Sequence, residues 1–158
     1  MPEKSLAQEL VVGALGGALP SILVYWLTAR TSKNAFKRQV AVNDIAGIIE
    51  RIDRAEAAAQ AYYLLKGDSP LAVRDGISLN SAVKAITSHV SQLRQSHAAA
   101  ELHLPTTLSA NFRKALTGSP FQEASRPAYE PSDIAFSKIS NAADDLKSAL
   151  RRCRDQLK

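Results

Sequence analysis

Residues 79–104, LNSAVKAITSHVSQLRQSHAAAELHL, decide the fold class of this chain. Apolar residues and one histidine recur in this stretch at alternating steps of four and three, which is typical of a helix that packs against other helices. Pro105 cannot continue the helix and marks its predicted end. The face defined by this spacing, which we call the seam, consists of Leu79, Val83, Ile86, Val90, Leu93, His97, Ala100 and Leu104.

His97 is the one strongly polar residue on the seam. A histidine at such a position can set the register of the helices or respond to pH, or it can be an ordinary hydrogen-bonded core residue. His97 and Glu101 are four residues apart and share a face. Zinc sites need three or four ligands, and no further ligand follows at a matching spacing. We therefore expect neither a metal nor a cofactor.

The amino-terminal side of the seam contains a second amphipathic pattern. Apolar residues recur at helical spacing from about residue 34 to 66, and Gly67 is placed to end that helix. Pro70 can begin a short turn of helix, which Asp75–Gly76 is expected to break. The charged residues Glu50, Asp53 and Glu56 form a stripe on the polar face, which we expect to be exposed to solvent.

The carboxyl-terminal side adds two more predicted helices. A short one has Thr106 or Thr107 as its N-cap and Gly118 as its C-terminal stop, and a longer one is capped by Ser132–Asp133. No segment has the two-residue alternation of a strand. The sequence thus predicts an all-α fold, with three long antiparallel helices and one or two short ones in a small bundle.

The strongest membrane signal is LVVGALGGALPSILVYWLTA, residues 10–29, which contains no ionisable side chain. As a helix it would span ~30 Å, the thickness of a hydrocarbon core. Tyr25 and Trp26 lie near its end, where such rings favour the membrane interface. We expect a single transmembrane helix that continues into the bundle. The alternatives are a helix buried in a soluble protein and a cleaved signal peptide, which the acidic residues 1–9 and bulky Tyr25–Leu27 disfavour.

The positive charge is concentrated directly after this stretch. Arg30, Lys33, Lys37 and Arg38 carry four of the five net positive charges of the chain. By the positive-inside rule this cluster faces the cytoplasm, with anionic lipid headgroups as its counter-charge, and the N-terminus lies outside. The remainder is close to neutral, so composition gives no argument for nucleic-acid binding.

Small residues line one side of the predicted membrane helix. Gly13 and Gly17 form a GxxxG pair, and Ala14 and Ala18 form a second small-residue pair beside it. Such pairs allow two helix backbones to approach closely in lipid. They predict self-association and hence a homo-oligomer, although small residues are also common in membrane helices that do not associate.

The clearest loop is TGSPFQEASRPAYEP, residues 117–131, which contains three prolines. Phe121 and Tyr129 are its large apolar side chains. Loops of this length are often functional, so the two rings are candidate contacts for a protein partner. Alternatively, both rings pack onto the bundle and the loop is a connection.

The chain contains no phosphate-binding glycine loop, no HExxH and no GxSxG, and we therefore identify no catalytic residue and predict that the protein is not an enzyme. Its single cysteine, Cys153, lies on an apolar face of the last helix and is expected to be a buried thiol of unassigned role.

These patterns predict four regions: an extracytoplasmic N-terminus (1–9), a transmembrane helix (10–29), a basic juxtamembrane segment (30–38) and a cytoplasmic bundle (39–158). We expect a membrane-anchored interaction or assembly protein that contacts lipid, copies of itself and a cytoplasmic protein. One alternative is an effector that oligomerises on a trigger and disrupts membranes. A third is a soluble helical protein in which the 10–29 helix is buried.

Overall fold

The computed structural model describes residue 32 and residues 35–157, except for the side chains of Ala98 and Ala99. The chain divides into two compact units, Met1–Val40 and Ala41–Lys158. In the first unit the described residues are helical, and Lys37 and Arg38 are exposed to solvent.

Several predicted features lie outside the described residues, so each remains a prediction. Within the described part of the chain, no helix combines the length and the apolar character needed to cross a membrane. The features outside it are the 10–29 membrane helix with its pairs Gly13/Gly17 and Ala14/Ala18, the rings of Tyr25 and Trp26, and the charges of Arg30 and Lys33.

The second unit is built from helices, and its described residues contain no strand. The all-helical fold class is therefore confirmed. In chain order the helices are α1 (41–63), α2 (Pro70–Ser96), α3 (Ala98–His103), α4 (Thr106–Thr117) and α5 (Ile134–Leu157).

The three long helices pack as an antiparallel bundle around α1. Arg51 of α1 donates a hydrogen bond to His89 of α2, and the opposite end of α1 meets the beginning of α2. Gln60 of α1 donates a hydrogen bond to Ser140 in the first half of α5, and Asp53, two turns earlier in α1, pairs with Lys147, two turns later in α5. Both neighbours thus run opposite to α1. The short helix α3 contacts α2 and α5, and so does α4.

The core lies where the apolar faces of the helices meet. On α2 the seam positions from Leu79 to Leu93 are buried, and in α3 and the residue after it Ala100 and Leu104 are fully buried. Phe112 and Leu116 of α4 are also fully buried, as its spacing predicts. Truncating any one of these large side chains to alanine would cost about 2–5 kcal/mol of stability. The helical periodicity therefore identified the apolar faces correctly.

Two predicted helix boundaries are wrong. The first helix ends at residue 63 rather than 66, and α2 begins at Pro70 and continues through Asp75–Gly76 without a break. Gly76 is buried, and a Cβ atom there would lie 3.1 Å from the Tyr62 ring. This glycine thus permits close packing of α1 on α2 and does not form a turn.

The seam helix is broken at His97. This residue has extended backbone angles (φ −140°, ψ 120°), and it caps both the end of α2 and the start of α3. Its N–H still bonds the carbonyl oxygen of Leu93, so the chain kinks and then resumes a helical course. The predicted continuous helix to Leu104 is therefore two helices, although the seam positions on both sides of the kink are buried.

Candidate interaction groove

An open groove of about 720 Å³ lies on the outer surface between α4 and α5. Half-buried apolar side chains, namely Leu108 and Ala115 of α4 and Ala135 and Ala142 of α5, line it. Exposed polar side chains stand on both rims. On α4 these are Asn111 and Lys114, and on α5 they are Lys138, Asn141 and Asp145.

One end of the groove is closed by the proline-rich segment 118–131, which we call the strap. Gly118, Ser119, Pro120 and Tyr129 of the strap line this end, together with Tyr63 of α1. Ile134, the first residue of α5, also lines the groove and is 67% exposed. Other large apolar residues are exposed on the described surface, so Ile134 marks a contact surface only together with the apolar lining of the groove.

The strap is fastened to the carboxyl end of α1 by backbone hydrogen bonds. The N–H of Tyr129 donates to the carbonyl oxygen of Tyr63 (2.9 Å), and the N–H of Gly67 donates to that of Arg126 (2.9 Å). A Cβ atom on Gly67 would lie 2.0 Å from the carbonyl oxygen of Glu123, so only glycine fits against the strap there. Gly67 thus serves a close approach of two segments, because α1 has already ended at residue 63.

Arg126 belongs to the strap and is 2% exposed, with its guanidinium directed at the carboxyl end of α1. It donates to the carbonyl oxygens of Tyr62 and Tyr63, each at 3.3 Å. These carbonyls belong to the last turn of α1, where the helix carries partial negative charge and the regular helical hydrogen bonds end. Each also accepts one backbone hydrogen bond, from Leu65 and Tyr129 respectively. Arg126 therefore caps α1 from a distant part of the sequence.

Aromatic rings surround this cation. Its central carbon lies 4.5 Å from the centre of the Tyr62 ring and 5.1 Å from that of Tyr63, distances at which cation–π attraction is effective. Phe121 packs against Tyr62 (5.0 Å between ring centres), and Tyr129 stacks on Tyr63 (5.4 Å, 11° between planes). The two strap rings thus pack against the bundle, and Tyr129 also lines the groove.

Tyr63 joins α1 to α4. Its hydroxyl donates to the carbonyl oxygen of Leu116 at 3.2 Å. Burial, and secondly the neighbouring Tyr62, raises the pKa of Tyr63 to about 12. The phenol therefore stays protonated and remains a hydrogen-bond donor at any physiological pH.

A second buried cation, Lys147, holds α1 and α5 together. Its ammonium group donates to Asp53 (2.9 Å) and Glu56 (3.2 Å) of α1 and pairs with Asp144 (2.9 Å) of its own helix. Burial alone would lower the pKa of Lys147, but the hydrogen bonds to the three carboxylates outweigh it and raise that pKa above its ordinary value. The predicted solvent-facing stripe is confirmed for Glu50, which pairs with Arg54, and for Asp53, whose side chain is 56% exposed although it pairs with Lys147. It is wrong for Glu56, which is half-buried against Lys147.

The remaining predicted site residues lie apart from the groove. His97 is half-buried and lines a separate polar pocket of about 320 Å³ together with Asp44, Arg51 and His89. Cys153 is fully buried, and burial raises the pKa of its thiol. Among the residues that the structure describes, no group of three or more histidines, cysteines and acidic residues could hold a metal ion.

Sequence reasoning missed Arg126 and Lys147. Arg126 sits in a loop between exposed residues, and Lys147 belongs to a basic helix end that helix dipoles already explain. One signal was present for Lys147. It lies next to Leu146 and one helical turn after the small residue Ala143, so it is placed at the edge of the apolar face of the last helix. For Arg126 no periodic pattern gives such a signal.

Comparison of the chain with protein-family models, with curated proteins and with solved structures gives no significant match.

Proposed function

We propose that this chain is a membrane-anchored helical assembly protein and that its α4–α5 groove binds a helix. The observation that carries this proposal is the groove itself, with an apolar floor, polar rims and exposed Ile134 in its lining. Protein interfaces have this arrangement of an apolar centre and a polar border. A groove between two helices also offers the surface on which an amphipathic helix docks.

The bundle's buried cations support a binding role over a chemical one. Arg126 caps α1, and Lys147 joins α1 to α5, so each is engaged in holding the groove's scaffold together. Lys147 fixes α5 to α1, and the hydrogen bond from the Tyr63 hydroxyl to Leu116 fixes α4 to α1. The groove between α4 and α5 is therefore preformed, and a helix can dock without first ordering the surface.

The membrane anchor is supported by the uncharged 10–29 stretch and the basic residues that follow it. In intact cells, we expect a membrane-impermeant maleimide to label Ser5→Cys from outside, and to label Ser91→Cys only after permeabilisation.

The full-length protein should resist alkaline extraction, and Leu15→Arg with Leu19→Arg should release it, whereas Leu102→Arg on exposed α3 should not. A full-length chain that is soluble without detergent would exclude the anchor and favour the soluble alternative.

The groove is tested by photo-crosslinking in cells that express the full-length chain. A photoreactive amino acid at Ile134 should give an adduct of discrete mass. The matched control is Leu102, which is 77% exposed but lies on α3 outside the groove. If the two positions give the same pattern of adducts, the groove is not an interface.

A further inference from the structure

Two opposite charges lie on the same rim of the groove at a regular spacing. Lys138 and Asp145 of α5 are seven residues apart, which places them two turns and ~10 Å apart along one helix face. Both side chains are exposed. In the part of the chain that the structure describes, neither forms an ion pair. Asn141 and Ala142 lie midway between them.

We propose that the occupant of the groove is a second copy of this chain, with the two α5 helices packed antiparallel across a two-fold axis. The axis passes between Asn141 and Ala142. Since the charges are equidistant from this point, Lys138 of each copy then faces Asp145 of the other. This inference deepens the proposed function by naming the occupant, and it rests on the groove being an interface.

The residues near the axis suit such close packing. Ala142 is small, so the two helices can approach at the axis to the ~8 Å separation of tightly packed pairs. Asn141 carries both a donor and an acceptor, so it can bond its own counterpart on the symmetry axis. A two-fold interface requires self-complementary patches of this kind, because the same surface of each copy contacts its equivalent on the other copy.

The charges on α5 favour a second copy over an unrelated helix. One positive and one negative side chain on a single rim are complementary to themselves after a two-fold rotation. Lys114, on the opposite rim, adds a positive charge near the groove. The second copy's α5 supplies acidic Asp145 to this surface as well as the exposed apolar side chain of Ile134.

The test is charge reversal with rescue in the full-length protein in detergent, with the dimer dissociation constant measured by sedimentation. Lys138→Asp or Asp145→Lys alone turns two attractive contacts per dimer into repulsive ones and should weaken the dimer about tenfold. The double variant restores opposite charges across the axis and should recover the original constant to within about twofold. A double variant that is as weak as the single variants would overturn the proposal.

A cysteine on the axis gives a second measurement that does not depend on charge. Asn141→Cys should form a disulfide between copies under mild oxidation, because its counterpart lies within the ~7 Å Cα–Cα reach of a disulfide. Ser91→Cys, on the exposed surface of α2, should stay monomeric on a non-reducing gel at the same concentration. Equal crosslinking of the two variants would contradict the two-fold arrangement.

The crosslinking at Ile134 separates the two proposals. An adduct of twice the chain mass supports the second copy. An adduct of another mass overturns the second copy while leaving the groove an interface, and the absence of any adduct overturns both.

Discussion

Replacing Arg126 with methionine should loosen the strap and the carboxyl end of α1 together. The substitution keeps an unbranched side chain in the buried site but removes both hydrogen bonds to the last carbonyls of α1, each 3.3 Å long. It also removes the cation from the rings of Tyr62 and Tyr63. We therefore expect two changes at once: a less stable second unit and a strap whose tyrosine stacking is lost.

The size of the effect follows from these contacts. A hydrogen bond from a charged donor contributes about 1.5–3 kcal/mol, and the length of these two places them at the lower end, about 3 kcal/mol in total. Cation–π attraction adds roughly 1 kcal/mol. Part of this stabilisation is offset by the cost of burying the charge of Arg126, which pairs with no carboxylate among the described residues and whose Nε atom has no hydrogen-bond partner there. The net loss should be about 3 kcal/mol, which lowers Tm by ~10 °C.

The assay is urea unfolding of the full-length protein followed by circular dichroism in the far ultraviolet, with the near-ultraviolet tyrosine signal as a report on the strap. Arg113→Met is the matched control, because Arg113 is exposed on α4. Arg126→Lys should be nearly as unstable as Arg126→Met, since an ammonium group cannot donate in a planar fork to two carbonyls. A free energy of unfolding for Arg126→Met within 1 kcal/mol of the Arg113→Met value, roughly the uncertainty of the linear extrapolation, would refute this account.

Three further predictions use the same unfolding assay. Lys147→Met should cost about 3 kcal/mol, because Glu56, whose side chain is 17% exposed, loses its cation and keeps only the hydrogen bond from Ser140, while the other two partners are more than half exposed. Exposed Lys84→Met should change stability by less than ~0.5 kcal/mol. Alkaline pH should destabilise the protein through Tyr63, whose pKa is about 12 in the folded state and 10.0 in the unfolded state. The contribution of Tyr63 to the free energy of unfolding is therefore complete below pH 10 and decreases, by up to roughly 3 kcal/mol, as the pH rises to 12. Tyr63→Phe should remove that part of the pH dependence, and an unchanged profile would contradict it. Gly67→Ala should be strongly destabilising, because its Cβ atom would overlap a carbonyl oxygen of the strap. The control Gly47→Ala lies on a helix with nothing within 4 Å of the new Cβ atom and should stabilise the protein by about 1 kcal/mol. Equal effects of the two substitutions would exclude the close approach at Gly67.

The local patterns of the sequence predicted the helical elements well. The short helix α4 ends before Gly118 as predicted, and its inward residues Phe112 and Leu116 are fully buried. It begins at Thr106 with Pro105 at the N-cap, so the prediction of a threonine cap is wrong. This success has a physical basis, since helix ends depend on nearby capping and breaking residues, and burial of one face follows from a 3.6-residue period. The break at His97 was missed because Leu93 and Ala100 keep the same spacing whether the helix continues or kinks.

The groove and its supports could not be predicted in the same way. Tyr129 was identified as a candidate contact from the composition of its loop, and it does line the groove. The stack of Tyr129 on Tyr63 and the hydrogen bonds from Arg126 to α1 join residues more than 60 positions apart. No pattern within a single segment shows which distant segment it meets.

The sequence by itself determined that this protein is helical, where α4 ends and α5 begins, and which face of each helix is apolar, because these properties depend on side chains within a few turns of one another. Only the tertiary structure decided that Arg126 caps α1, that Lys147 joins α1 to α5, and that α4 and α5 leave a groove between them. The physical reason is that a charge or a glycine has no fixed role in a sequence. Its role is set by the atoms that packing brings within reach.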